Sequence, residues 1–166
     1  MSSHVVCLHL PGLLIYRDLV LAVVAEVCGT KVSSAGEHLQ AGRGPHDFQF
    51  EIVSAVSEAF NNVALHGSSG GVVPQLEIEL LSAQDFIVIH MKDTGQSFDP
   101  MLLDAPRLRA MPELPESGMG LFIITSFMDE VEYRPGVPNV LRMLKRRPDA
   151  SLGSNTPEFN ERNDHQ

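Results

Sequence analysis

Gln75-Leu-Glu-Ile-Glu-Leu-Leu-Ser-Ala-Gln-Asp-Phe-Ile-Val-Ile-His-Met-Lys92 settles the fold class. Its first half sets Leu76, Ile78 and Leu80 against Glu77 and Glu79, the two-residue period of a half-buried strand. Residues 82–85 supply a hairpin turn, and residues 86–92 form the partner strand. A second hairpin follows near the end, residues 130–133 and 140–145 around Pro135-Gly136-Val137-Pro138. Residues 5–10 read as a first strand, stopped by Pro11-Gly12. Three segments have helical length and period: residues 13–28, residues from about Asp47 (a capping residue) to 65, and residues 119–128. The order is strand, helix, helix, hairpin, irregular segment, helix, hairpin. Strands arrive in hairpins rather than in βαβ units. The expected architecture is therefore α+β: a two-layer α/β sandwich whose mixed, mostly antiparallel sheet carries the helices on one face.

The chain has 166 residues, 43% of them hydrophobic, which suits one domain of ordinary size. That domain is expected over residues 1–148. Residues 149–166 are polar and aperiodic and are expected to be a disordered tail. Aromatics are 6% and Trp is absent, so the core must rest on aliphatic side chains and Met. A net charge of -9 argues against nucleic acid or an anionic membrane as partner, because phosphates reward clustered Lys and Arg. Cys7 and Cys28 allow at most one disulfide. The first residues lack the basic stretch and long apolar run expected of a secretory signal, and no apolar run approaches the ~20 residues of a membrane span. The expected location is cytoplasmic. Residues 33–45 read as a loop. Residues 100–117 hold Pro100, Pro106, Pro112 and Pro115 and read as a long irregular segment, of the length usual for lids.

Three short stretches carry candidate chemistry. The first is Val56-Ser-Glu-Ala-Phe-Asn-Asn-Val-Ala-Leu-His-Gly67, inside the second helix. Ile52, Val56, Ala59 and Val63 trace its apolar stripe, with Val53 and Phe60 beside it. Glu51, Glu58 and Asn62 lie on the other side, and Glu58, Asn62 and His66 follow one another at i, i+4 and i+8. A solvated helix face has the same pattern. A carboxylate beside an amide also suits chemistry, because the amide oxygen can ligate Mg2+ and the carboxylate can deprotonate a nucleophile. The second stretch is Asp93-Thr94-Gly95, either a simple turn or a carboxylate at a strand end placed to accept from the exocyclic amine of a base. The third is Ser117-Gly118-Met119-Gly120, either a flexible connection or a phosphate cradle opening a helix. It is neither a Walker A loop nor a dinucleotide fingerprint.

Taken together these strings resemble the GHKL (histidine-kinase-like) ATPase superfamily, and within it the small serine kinases that act as anti-sigma factors. Residues 56–67 resemble its N box, Asp93-Thr-Gly-Gln-Ser-Phe-Asp-Pro100 its first glycine box, and Ser117-Gly-Met-Gly-Leu-Phe-Ile-Ile124 its second. The likeness runs over roughly residues 5–147. It implies a Bergerat-type ATP-binding fold and definite roles. Glu58 would be the general base for transfer of the γ-phosphoryl group to a protein serine. Asn62 would ligate Mg2+, and His66, which closes the N-box string, would lie with the nucleotide-binding residues. Asp93 would bind the adenine amino group above Gly95. Ser117, Gly118, Met119 and Gly120 would hold phosphates, and residues 100–116 would be the ATP lid. The implied partners are a STAS-type antagonist and a sigma factor, with the kinase a homodimer. An ATP-binding interaction switch without useful kinase activity is the alternative. The chain departs from the pattern at Ser97, where much of the superfamily has Gly, although Gly-x-Ser-Phe also occurs in this branch. It departs at Glu116, where some relatives carry a basic residue, which makes Arg107 or Arg109 the lid's source of positive charge. It departs again at Pro138-Asn139-Val140, where relatives often have Gly-Thr-Thr with a Thr near the adenine.

Overall fold

A computed structural model describes residues 3–29, 45–68, 70–99 and 116–148. Its strands are β1 (His4–Pro11), β2 (Gln75–Ser82), β3 (Phe86–Asp93), β4 (Glu130–Arg134) and β5 (Asn139–Arg146). Its helices are α1 (Arg17–Gly29), preceded by a 3-10 turn at Leu14–Tyr16, α2 (Pro45–His66) and α3 (Glu116–Phe127). One five-stranded sheet runs β1-β2-β3-β5-β4, and every neighbouring pair is antiparallel. The two-layer α+β sandwich is thus as expected. Of the expected loop (33–45) and lid (100–116), only Pro45 and Glu116 are described, each as the first residue of a helix rather than as loop; their other residues and the expected tail lie outside the described residues.

The register explains the layers. Leu8, Ile78, Met91, Leu141 and Tyr133 stand side by side across all five strands, as do Val6, Leu80, Ile89, Met143 and Val131. Successive side chains alternate between faces, so these two rows share one face, and their residues join the core that the helices cover. The residues between them point to the other face. There Cys7, Glu79, His90, Arg142 and Glu132 form a polar row, with Arg142 within 3.3 Å of Glu130 and 3.5 Å of Glu132. Burial holds the His90 imidazole below its ordinary pKa, against the upward pull of Glu79.

The stripe read from the sequence is the buried side of α2: Ile52, Val56 and Phe60 are wholly buried, Ala59 and Val63 nearly so. Each of the larger side chains, Ile52, Val56, Phe60 and Val63, contributes on the order of 1.5–3 kcal/mol on removal from water. Helix α1 docks on α2 through polar ties as well as Val20 and Val24. Arg17 donates to Ser57 Oγ at 2.7 and 3.2 Å, and Gln49 Nε2 donates to the Ala25 carbonyl at 3.0 Å. Because α2 begins at Pro45, Asp47 sits within its first turn rather than capping it, where its charge still favours the helix dipole.

The polar side of α2 is not a solvated face. Glu51 meets Lys145 of β5 at 2.6 Å, and that lysine is almost fully buried. Lys145 also donates to the Phe127 carbonyl at the end of α3 and lies 3.6 Å from Asp129. One ammonium therefore joins α2 and α3 to the sheet. Cys7 and Cys28 are both free, the first exposed and the second buried, so the disulfide the sequence allowed is not formed. Burial pushes the Cys28 thiol up to about 12.

Candidate nucleotide site

The first two candidate stretches meet at a glycine. Gly95 stacks directly on Gly67, the residue that ends α2. A Cβ on Gly95 would lie 2.8 Å from both Cα and the carbonyl oxygen of Gly67, and 3.0 Å from Asp93 Oδ1. The contact is backbone on backbone, so no side chain can move aside to admit a methyl group. The Gln96 amide donates to the same Gly67 carbonyl at 2.9 Å, and the Gly67 amide donates to Val63 at 2.9 Å. The end of α2 is thereby fastened to the turn that leaves β3. Gly95→Ala should therefore split the turn from α2. We expect nucleotide affinity to fall at least about tenfold and the urea midpoint to drop with it, since overpacking costs ~1–3 kcal/mol. Unchanged values for both would mean that the close approach is not needed.

Asp93 closes β3 beside this contact. Its Oδ1 accepts from the Gly95 amide at 2.8 Å and from Asn139 Nδ2 at 3.0 Å. Asn139 is 1% exposed and makes further bonds: Nδ2 donates to the Gly95 carbonyl at 3.0 Å, while Oδ1 accepts from Ser97 Oγ at 2.5 Å and from the Gly136 amide at 3.1 Å. Phe98 next to it stacks on Tyr133 with ring centroids 3.7 Å apart, and its amide donates to the Tyr133 hydroxyl at 3.2 Å. Burial pushes the Tyr133 hydroxyl up, so it stays protonated at neutral pH.

The third stretch lies against the other part of α2. A Cβ on Gly120 would stand 2.9 Å from Glu58 Oε2 and 3.7 Å from Asn62 Oδ1. The first turn of α3 thus faces the carboxylate and amide singled out on α2, with nothing larger than a hydrogen atom between. Helix α3 starts at Glu116, three residues before the expected start at Met119. Ser117, Gly118, Met119 and Gly120 consequently belong to its first turns rather than to a loop ahead of it. Gly118 and Gly120 are buried, and Met119 is 48% exposed and points away. Glu58 and Asn62 are half-buried. His66 is exposed, and eight residues of helix turn it about 80° away from Glu58. It does not share their face.

The candidate residues therefore form two groups joined by α2. Glu58, Asn62 and the start of α3 make one; Gly67, Asp93, Gly95 and Asn139 make the other. From Glu58 to Gly67 is nine residues, roughly 13 Å of helix. In the sequence, Gly67 is only the last residue of the N-box string and Asn139 only part of a departure from the family's Gly-Thr-Thr. Only the contact with Gly95 and the four hydrogen bonds assign them to the site. Among the described residues no three His, Cys, Asp or Glu side chains converge on a metal position. The donor set at the first group is one amide oxygen with a carboxylate beside it. That suits Mg2+, which keeps waters and is held largely by substrate phosphates.

An acidic residue at a strand end, a glycine turn pressed on a helix terminus and a second glycine pair over a Glu/Asn helix face define a class of nucleotide-binding domain. Residues 15–145 match the model of the histidine kinase-like ATPase domain, and the chain belongs to that family. It is an ATP-binding domain by that membership. Among curated proteins it is similar to the anti-sigma F factors of Bacillus thuringiensis (strain Al Hakam), Bacillus mycoides (strain KBAB4) and Bacillus cereus (strain AH187), each 35% identical over 83 residues. The aligned stretch is 49% of this chain and 57% of each relative, so the chain spans little more than half the length of the curated proteins it matches. No described helix is long and apolar enough to cross a membrane.

Proposed function

We propose that the chain is an ATP-dependent serine kinase that regulates a sigma factor by partner switching, phosphorylating a STAS-type antagonist. The observation that carries this reading is the closeness of Gly120 to Glu58 and Asn62. A phosphate held at the start of α3 would lie directly against a carboxylate and an amide oxygen. Likeness to anti-sigma F factors supports the partner class. The unit responsible would be residues 1–148, acting as a homodimer.

In this reading Asp93 accepts the amino group of the base, and Gly95 keeps the surface beneath it flat. The backbone at Ser117, Gly118, Met119 and Gly120 holds phosphate oxygens, aided by the positive end of the helix dipole. Asn62 would ligate Mg2+, which when bound neutralises charge on the phosphates. Glu58 accepts the proton of the substrate serine as its oxygen attacks the γ-phosphorus and the bond to the ADP oxygen breaks. Catalysis of this kind depends mostly on positioning and electrostatics, which suits a site whose parts are fixed by backbone contacts. Exposed His66 takes no role in these steps.

The test is incubation of the chain with γ-labelled ATP, Mg2+ and STAS proteins from the same genome. Label on a serine is expected. Binding of ATP without transfer to any of them would replace the kinase reading with that of an ATP-binding interaction switch. Asn62→Ala is expected to weaken Mg-ATP binding and transfer together, at least about tenfold each. Titration with ATP in the presence and absence of Mg2+ separates the two, because a metal-ligand loss disappears when Mg2+ is left out.

A further inference from the structure

The hydrogen bonds of Asn139 point to a device for base selection, which rests on the reading of Asp93 as the base-binding carboxylate. Ser97 and Asn139 are two of the positions at which the sequence departs from the family pattern, and they touch each other. Asp93 Oδ1 and the Gly95 carbonyl are acceptors only, and the Gly136 amide is a donor only. The amide of Asn139 can therefore sit just one way round, with Nδ2 toward Asp93 and Oδ1 toward Gly136 and Ser97. Both of its N–H groups and both lone pairs of its oxygen are then used. It has no capacity left for a ligand. It ties together the end of β3, the glycine turn, the segment after it and the β4–β5 turn.

The consequence falls on Asp93. Among the described residues two groups donate to this carboxylate, both to Oδ1. The carboxylate is thus fixed in rotation, with its second oxygen left as an acceptor. A carboxylate oxygen held so accepts from an amino group and repels a carbonyl. Adenine offers an amino group at its sixth position, and guanine offers a carbonyl there. We propose that Ser97 and Asn139 are coupled positioning residues that hold Asp93 in this orientation, and so set the preference of the site for ATP over GTP. Ser97 acts through Asn139, whose oxygen it holds at 2.5 Å, and Asn139 acts through Asp93.

The test is calorimetric titration of Mg-ATP and Mg-GTP into wild type, Ser97→Ala, Asn139→Thr and the double variant, with circular dichroism to check the fold. Ser97 is exposed, so Ser97→Ala should fold even if a buried change at Asn139 does not. Wild type is expected to prefer ATP. Asn139→Thr should narrow the ATP-to-GTP ratio about tenfold or more, since an unpaired buried polar group costs on that scale. Ser97→Ala should narrow it less. The double variant should fall short of the product of the two by at least about threefold, the signature of groups acting in one network. General loosening would weaken both nucleotides alike and leave the ratio where it was. A folded Ser97→Ala or Asn139→Thr protein with the wild-type ratio overturns the proposal while leaving nucleotide binding intact. Failure of wild type to bind either nucleotide overturns the reading of the site itself.

Discussion

Glu58→Gln should bind Mg-ATP within a few-fold of wild type and transfer its phosphoryl group at least about a hundredfold more slowly. The amide keeps the size and shape of the carboxylate against Gly120, where only 2.9 Å separates Oε2 from the position of a Cβ. What it loses is the ability to take a proton, and general-base catalysis is worth about 10²–10⁴ in rate. Filter binding of nucleotide and single-turnover transfer to a STAS protein measure the two quantities separately. Transfer at the wild-type rate would falsify the assignment of Glu58 as base. A matching loss of ATP binding would instead make it a ligand-holding residue.

The largest effect on stability is expected at Lys145, which takes no part in the proposed chemistry. Its ammonium is buried beside Glu51 at 2.6 Å and Asp129 at 3.6 Å, and it also donates to the last turn of α3. Removing one partner from such a group leaves an uncompensated buried charge, which costs about 3–5 kcal/mol. Lys145→Ala is therefore expected to lower Tm by roughly 10 °C for a domain of this size. Replacing Glu51 and Lys145 together by Met should recover most of the loss, because the pair as a whole contributes little beyond what well-packed apolar groups would. Urea unfolding of the two variants decides this. A single variant within 1 kcal/mol of wild type would show that the charge is better solvated than its burial implies.

Much of the framework was legible in advance, for physical reasons. Leu76, Ile78 and Leu80 alternate with Glu77 and Glu79 because one face of β2 meets the helices and the other does not. The stripe on α2 was legible for the same reason. Periodicity reports which side of an element is buried, and little else. It could not tell that the opposite side of α2 is pinned to Lys145 and α3, since polar residues look alike whether they meet water or a buried ion. His66 was placed with Glu58 and Asn62 by extending a four-residue step twice. Each step overshoots a full turn by about 40°, and the drift carries His66 out to solvent. Asn139 illustrates the opposite failure. Its burial arises only where the stretch from Asp93 to Ser97 meets the turn between β4 and β5, far along the chain, and no local pattern records that meeting. The start of α3 was set late because two glycines read as a loop, whereas here they are small residues that let one helix lie against another.

Helix α2 is moored at two points, by Glu51 to the sheet and by Gly67, just past its last turn, to the turn after β3. It therefore acts as a ruler whose graduations cannot slide. An insertion or deletion of one residue between those moorings would swing Glu58 about 100° around the axis relative to Gly120, and no adjustment of the loops outside could correct it. Substitutions within α2 can be absorbed one at a time, but its length between positions 51 and 67 is fixed by the contacts that hold it.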